Sequence, residues 1–445
     1  MKQLRILHIN DLHSSFKSYP QIQHFFENNS IENTLRFDLG DNVDRSHPLT
    51  EATKGQANIE LLNQLSLTAA TVGNNEGLSL EHDDLSHLYD EANFPIVLSN
   101  LREKGKLPAW LKESITVETD FGMKVGIIGL TFPYYLAYEP FGWDIEDPYA
   151  SLDRLLPELN CDFIILLSHL GVKYDEEIAK KYDIDLIIGA HTHHVFEEGV
   201  EVDGSLLAAA GSHGEFIGKI DLTFTDDFTL YDWKIDAIPV NSLEIHPEEK
   251  KFVQDLEDRG HKLLQDKENI DLGTRISNQF PDYQASHKLA KLIADYAQVP
   301  ASIVNSGLVV YDLPKIINPD NLLTILPHSM RVVRYKVKGI ELKEILKELT
   351  DKAVLLEDQR IHGMGFRGKI FGKLVMEGIS YDSEKEIFLY QGKPIKDKKS
   401  YEFVVPDQYY FAKYFSNLKS MGQKEILFPK FLREIVYDYL RGSND

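Results

Sequence analysis

Five times before residue 194, a short apolar run rich in leucine and β-branched residues stops at a side chain carrying an oxygen or nitrogen donor. The run at 4–9 leads into Asn10-Asp11-Leu12-His13, and the run at 34–39 ends at Gly40-Asp41. Residues 68–72 end at Gly73-Asn74, and 163–167 end at Ser168-His169. Residues 184–188 end at Gly189-Ala190-His191-Thr192-His193. Runs of this length and composition read as buried parallel strands. In open α/β sheets, ligand sites lie outside the carboxyl ends of the strands. One Asp-x-His triplet is ordinary turn chemistry. Five strand ends, each delivering a donor, demand a fold that gathers them at one place.

Helical patterns separate these runs, at 21–26 and 56–65 among others, and further strands are predicted at 95–98, 123–129, 206–210 and 216–224. This alternation predicts a layered α/β domain over residues 1–245. Residues 246–270 are polar and charged, with Phe252, Val253, Leu256, Leu263 and Leu264 at helical spacing, and read as a connecting helix. Residues 271–445 have a different texture: a helix near 285–297, the strand Ser302-Ile303-Val304-Asn305, then a mixed, aromatic-rich pattern. They predict a second α/β domain. A chain of 445 residues fits two or three domains of roughly 100–200 residues.

The chain carries 70 Asp+Glu against 48 Lys+Arg, a formal charge of −22. That disfavours a nucleic-acid polymer as partner, since such binding rests on many Lys/Arg–phosphate contacts. It leaves room for a small phosphate compound, because bound metal ions supply local positive charge. Cys161 is the only cysteine, which excludes an intrachain disulfide, and it reads as a buried structural thiol. The first residues lack the ~7–15 apolar residues of a signal peptide. No run approaches the ~20 of a membrane span. A cytoplasmic protein without membrane contact is the expectation.

The donors Asp11, His13, Asp41, Asn74, His169, His191 and His193 are all oxygen or nitrogen. Imidazole with carboxylate suits Mn, Fe, Zn or Co rather than a thiolate-type zinc site. Seven ligands are too many for one catalytic ion with an open position but suit two divalent ions ~3.5–4 Å apart, bridged by a carboxylate. Asp41, on its tight Gly-Asp turn, is the natural bridge.

The ordered set resembles the calcineurin-like metallophosphoesterase superfamily: Asp-x-His, Gly-Asp, Gly-Asn-His-Glu/Asp, a lone His, then Gly-His-x-His. Here these stand as Asp11-Leu12-His13, Gly40-Asp41, Gly73-Asn74-Asn75-Glu76, Ser168-His169 and Ala190-His191-Thr192-His193. With its second domain, the chain resembles the 5′-nucleotidase family, which also holds 2′,3′-cyclic-nucleotide phosphodiesterases and nucleotide-sugar hydrolases. Asn305-Ser306-Gly307, Leu326-Pro327 and Gly339-Ile340-Glu341-Leu342 resemble C-terminal motifs of that family. The resemblance implies an N-terminal β-sandwich flanked by helices and a C-terminal substrate-specificity domain. It implies one ion on Asp11, His13, Asp41 and His193 and a second on Asp41, Asn74, His169 and His191. It also implies in-line attack of a metal-bound hydroxide on the phosphorus of a small nucleotide.

Two departures stand out. The family places a catalytic His after the Asn ligand, and here that position is Asn75, which can hydrogen-bond to a phosphoryl oxygen but cannot give a proton. His213 and His47 are candidate replacements. A better leaving group, as in a nucleotide-sugar or dinucleotide pyrophosphate, would need none, and a low-turnover nucleotide-binding sensor is the remaining alternative. The second departure is that Asn305-Ser306-Gly307 is not followed by the family's phosphate-gripping Arg. Arg45, Arg367 in its Gly-rich basic stretch, and the aromatic pair Phe371 and Tyr410 are the candidate substrate-binding residues. Arg45 reads equally as a phosphate ligand or as a structural ion pair with Asp38 or Asp44.

Overall fold

The apolar runs become strands because both of their faces are covered. In the computed structural model, which describes residues 1–361 and 365–442, the strand Lys2–Ile9 sends Leu4 and Ile6 into one buried cluster while Leu7 and Ile9 are buried away from it. The same period of two splits Lys124–Thr131: Val125 and Ile127 join that first cluster, and Ile128 and Leu130 join another. It also splits Phe163–His169, with Ile165 and Leu167 on one face and Leu166 on the other. Alternate residues in a strand point to opposite faces, so a strand buried on both sides reads as a continuous apolar run.

Two compact units divide the chain, Met1–Gly260 and His261–Asp445, and the division falls within the helix Pro247–Gln265. In the first unit, a seven-stranded sheet runs in the order Leu230–Pro239, Phe216–Phe224, Lys2–Ile9, Thr34–Asp38, Ala69–Ala70, Ile96–Val97, Leu111–Lys112. A six-stranded sheet runs Val200–Val202, Ser205–Ala208, Leu186–Gly189, Phe163–His169, Lys124–Thr131, Ser114–Glu118. Lys2–Ile9 pairs parallel with Thr34–Asp38, and Phe163–His169 pairs parallel with both Leu186–Gly189 and Lys124–Thr131. One core is filled from both sheets, by Leu4, Ile6 and Phe37 from the first and Ile127, Ile165 and Ile188 from the second. Outside the second sheet, Leu152 and Leu155 of helix Pro148–Leu155 and Ile178 of helix Val172–Lys181 cover Ile128, Leu166 and Ile187. The architecture is a β-sandwich flanked by helices. Parallel neighbours bring their carboxyl ends to the same edge.

Cys161 is half-buried rather than fully buried, because it stands in the turn before its strand. Its Sγ lies 2.7 Å from where a Cβ on Gly126 would sit, so the thiol fills the space that glycine leaves. No helix of the described residues is long and apolar enough to cross a membrane.

The second unit is built on a five-stranded sheet in the order Leu374–Glu377, Ser302–Asn305, Ser400–Pro406, Val332–Lys338, Gln423–Leu427. Helices Gln284–Ala297, Gly339–Leu356 and Leu432–Gly442 complete its core. Asn305 is fully buried; its Nδ2 donates to the Phe371 carbonyl at 2.5 Å and its Oδ1 accepts from the Tyr409 hydroxyl at 3.0 Å. A Cβ on Gly307 would stand 1.9 Å from the Ile370 carbonyl oxygen, so only glycine lets these two segments meet. His328 fastens the same region. Its Nε2 donates to the Leu308 carbonyl at 2.8 Å, and its Nδ1 accepts from the Arg367 backbone N–H at 3.0 Å. Phe366 stacks on its ring at 4.9 Å.

Both nitrogens of His328 are therefore used in the neutral form, and burial pushes its pKa down to about 4. A histidine lowered in the folded state stabilises above its unfolded pKa of about 6.5, and that contribution is lost as pH falls toward 4. We expect thermal unfolding to detect a loss approaching about 1.4 kcal/mol per pH unit over that window. His328→Asn should flatten that part of the profile. An unchanged pH slope in the variant would remove His328 as the cause.

Candidate metal centre

The turns after the strands bend sharply. Asp11 (φ 50°), His13 (47°), Asp41 (50°), His191 (71°) and His193 (54°) all occupy the left-handed region. That conformation is uncommon outside glycine and is enriched for Asn, Asp and His. It costs of order 1–3 kcal/mol at each residue and persists where the surroundings enforce it. Here its effect is to turn successive side chains from the strand ends toward one point.

Asp41 sits at that point. Its Oδ2 lies 3.8 Å from His13 Nε2, and its Oδ1 lies 3.3 Å from His169 Nε2. On the first side, His13 Nε2 and His193 Nε2 stand 3.1 Å apart, and His193 Nε2 is 3.4 Å from Asp11 Oδ1. On the second side, His169 Nε2 is 3.3 Å from Asn74 Oδ1, and the His169 and His191 rings lie 5.3 Å apart. All seven donors singled out from the sequence meet here, with Asp41 between His13 on one side and His169 on the other. Asp11, His13 and His193 form one cluster with metal-ligand spacing, and Asp11, Asp41 and His169 another.

The charge balance fits cations at this point. Asp11 and Asp41 are both buried, at 0% and 3% exposure. Burial opposes ionisation of Asp41, yet His169 and His13 hold its carboxyl well below the usual range. Burial would keep His169 neutral, but Asp41 and Asp11 push it up to about 10. Two imidazole nitrogens 3.1 Å apart need a proton or a metal between them. Burial and His169 push His191 down to about 4, which keeps its ring neutral, the form that binds metal. His169 Nδ1 meets the Leu39 carbonyl at 2.7 Å, the backbone contact that fixes a metal-ligating ring and its tautomer.

Glu76 was not assigned a role from the sequence. Its buried carboxylate accepts the backbone N–H of Asp41 at 3.0 Å, Val43 at 2.8 Å and Gly73 at 2.9 Å. It thereby clamps the Gly40-Asp41 turn to the Gly73-Asn74 turn. The two turns touch so closely that a Cβ on Gly40 would stand 2.2 Å from Gly73 N, and one on Gly73 would stand 2.1 Å from Asp41 Oδ1. The signal for this role was an acid in the first turn of a helix directly after a glycine and a ligand. Phe132, stacked on His191 at 4.7 Å, was also missed, and nothing in its local sequence marks it.

Asn75 is part of the centre. Its backbone N–H donates to Asp41 Oδ1 at 2.7 Å, and its amide lies 3.0 Å from His13 Nδ1. His213 stands beside the first group, with its ring 4.9 Å from His13 and 5.9 Å from His193. Its backbone N–H donates to the Asp11 carbonyl at 2.7 Å. His47 caps helix Pro48–Thr53 through Leu49 N and packs on Phe16, a structural role.

The four substrate-binding candidates are placed as follows. Arg45 is 2% exposed; it grips Glu51 at 2.8 and 3.1 Å and the Ser79 carbonyl at 2.9 Å, so its guanidinium is engaged within the fold. Phe371 is 1% exposed and packs against Tyr409 and Phe415, so it is a core residue and not an open stacking surface. Tyr410 packs on Phe411 at 5.0 Å, and the expected pair with Phe371 is not assembled. Arg367 is exposed; Gly363 and Met364 of its Gly-rich stretch lie outside the described residues. A cleft of about 640 Å³ in the second unit is lined by Arg275, Asn278, Tyr311 and Asp312 among others, and by none of Arg367, Phe371 and Tyr410.

Removing the clamp tests the geometry. Glu76→Gln puts an amide N–H against backbone N–H groups, and loss of such an outer contact weakens metal affinity by about 10–100-fold. A metal titration of turnover should show that shift while circular dichroism stays unchanged. Unaltered metal affinity would show that the clamp does not position the ligands.

Comparison with known proteins gives this centre its setting. A calcineurin-like phosphoesterase family model matches residues 4–195, the span holding all seven donors. The Bacillus subtilis protein described as uncharacterized metallophosphoesterase YunD is 32% identical over 98% of this chain and 98% of its own. The trifunctional nucleotide phosphoesterase protein YfkN of the same organism is 25% identical over 78% of this chain, which spans only 27% of that relative. The crystal structure of a putative 5′-nucleotidase from Staphylococcus aureus superposes with a TM-score of 0.68 at 15% identity, covering 100% of this chain and 97% of that one. The chain belongs to the calcineurin-like metallophosphoesterases and is a metal-dependent phosphoester hydrolase that works with two divalent ions.

Proposed function

We propose that the chain hydrolyses phosphate esters of small nucleotides, as a 5′-nucleotidase or a 2′,3′-cyclic-nucleotide phosphodiesterase. The observation that carries this is the split of Asp41, one oxygen toward His13 and the other toward His169. One ion would be held by Asp11, His13, Asp41 and His193, the other by Asp41, Asn74, His169 and His191. When bound, the ions polarise the phosphoryl oxygens and supply a water ionisable near neutral pH. The nucleotide assignment draws on the likeness to a nucleotide phosphoesterase and to the fold of a putative 5′-nucleotidase. Residues 1–245 carry the chemistry, 246–270 connect, and 271–445 select the substrate.

The chain's own residues divide the work. Asp41 and Asp11 gather the positive charge that neutralises the phosphate. Asn75, with its amide beside His13, donates a hydrogen bond to a phosphoryl oxygen. His213, beside His13 and His193, is the group placed to give a proton to the leaving oxygen; burial and those two imidazoles hold its pKa below the usual value, so its protonated form is favoured on the acid side of neutrality. A second reading, pyrophosphohydrolysis of nucleotide sugars or dinucleotides, is favoured by Asn75 itself, since an amide cannot serve as acid and an anhydride leaving group needs none.

Phosphate release from nucleoside monophosphates, cyclic nucleotides, dinucleotides and nucleotide sugars, after chelation and readdition of Mn, Zn, Fe or Co singly, separates the readings. Asp11→Asn should abolish nearly all turnover with the fold intact; substantial retained activity would end the two-ion assignment. General-acid loss costs ~10²–10⁴-fold, so His213→Ala should lower monophosphate turnover by at least about 10²-fold and leave p-nitrophenyl esters and anhydrides nearly unchanged. Equal effects on every leaving group would remove His213 as the acid.

A further inference from the structure

We propose that His24, His246 and Glu249 form a second kind of metal site, for a single Zn²⁺-type ion, sharing no residue with the seven-donor centre. His24 lies in helix Tyr19–Asn28, His246 directly precedes helix Pro247–Gln265, and Glu249 is in the first turn of that helix. Their ligand atoms lie within 4.8 Å of one another. His24 Nδ1 is 3.0 Å from Glu249 Oε1, and the His24 and His246 rings are 5.3 Å apart with planes at 78°.

The state of Glu249 points to a cation. Its side chain is only 5% exposed. Both carboxylate oxygens are shielded from solvent and neither has a hydrogen-bond partner. The His24 nitrogen comes close but outside hydrogen-bond geometry. Buried carboxylates are normally satisfied by several donors, and one that is not requires an explanation. An acid at this helix position ordinarily reaches back to the cap N–H, whereas Glu249 turns to the two imidazoles.

Two imidazoles and a carboxylate, without sulfur, match Zn²⁺ completed by a solvent ligand. Mg²⁺ and Ca²⁺ prefer all-oxygen sets. The His24 side chain is 44% exposed, which opens the site for entry of the ion and for the solvent ligand. Tyr19 and Phe252 stack at 6.2 Å and join the same two helices, so the ligands are already close and small rotamer changes complete the set. The ion fastens the start of helix Pro247–Gln265 to helix Tyr19–Asn28 and stabilises the folded chain by mass action.

The test compares the full-length chain with its His24→Gln/His246→Gln variant, each chelated, reloaded with Zn²⁺ alone and desalted. Elemental analysis should find one equivalent less zinc in the variant, with nucleotide turnover unchanged, and the Zn²⁺-induced rise in Tm should shrink. Should the double variant fail to fold, His24→Gln alone, at a half-exposed position, provides the same comparison. Equal zinc content, or a Kd for this equivalent weaker than about 1 mM, would overturn the proposal. A Tm rise with Mg²⁺ or Ca²⁺ that the variant loses would overturn the assignment to a Zn²⁺-type ion.

Discussion

One carboxylate holds the two central turns together. Glu76 accepts three backbone N–H groups from the Gly40-Asp41 and Gly73-Asn74 segments. Burial and Asp41 push the Glu76 pKa up to about 7 against the pull of these N–H groups, and in the charged form such bonds are roughly twice as strong as neutral ones. Asp41 is then presented at a fixed angle, with its oxygens divided between two groups of ligands. The glycines at 40 and 73 are required by the same contact, since a Cβ on either would collide with the opposite turn. The centre is a product of backbone packing as much as of its ligand side chains.

Charge explains the rest of the arrangement. Buried Asp11 and Asp41 have to be balanced, and His169 and His193 are drawn toward protonation while His191 is held neutral. His169 faces Asp41 and is pushed up to about 10, while His191, beside His169 and under Phe132, is pushed down to about 4. A divalent cation meets the same demand that protons meet in its place. This is why a strongly acidic chain can handle a phosphate: the local sign is set by metal, not by the surplus of Asp and Glu.

Much of the fold was legible, because strands buried on both faces leave continuous apolar runs and because donors at their carboxyl ends stand out against that background. The layered α/β reading of the first 240 residues followed from alternation alone. The second unit was harder to read. Phe371 looked available for stacking because an aromatic beside glycines reads the same in a loop or a core, and only its contacts with Tyr409 and Phe415 place it inside. Arg45 read equally as a phosphate ligand or as a structural pair with Asp38 or Asp44; its ion pair with Glu51 depends on how the chain folds back through Pro48–Thr53.

The sequence by itself determined the kinds of donors, their order and their attachment to strand ends, since these follow from residue identity and local periodicity. It also marked the absence of a proton donor at Asn75. Only the tertiary structure decided how the strands are shared between two sheets, so that Asp11, Asp41 and Asn74 arrive from one and His169, His191 and His193 from the other. It alone brought His213 beside His13, gave Glu76 its three donors and set buried Glu249 against His24 and His246. Those outcomes depend on distances between residues far apart in the chain, which packing fixes and local sequence does not.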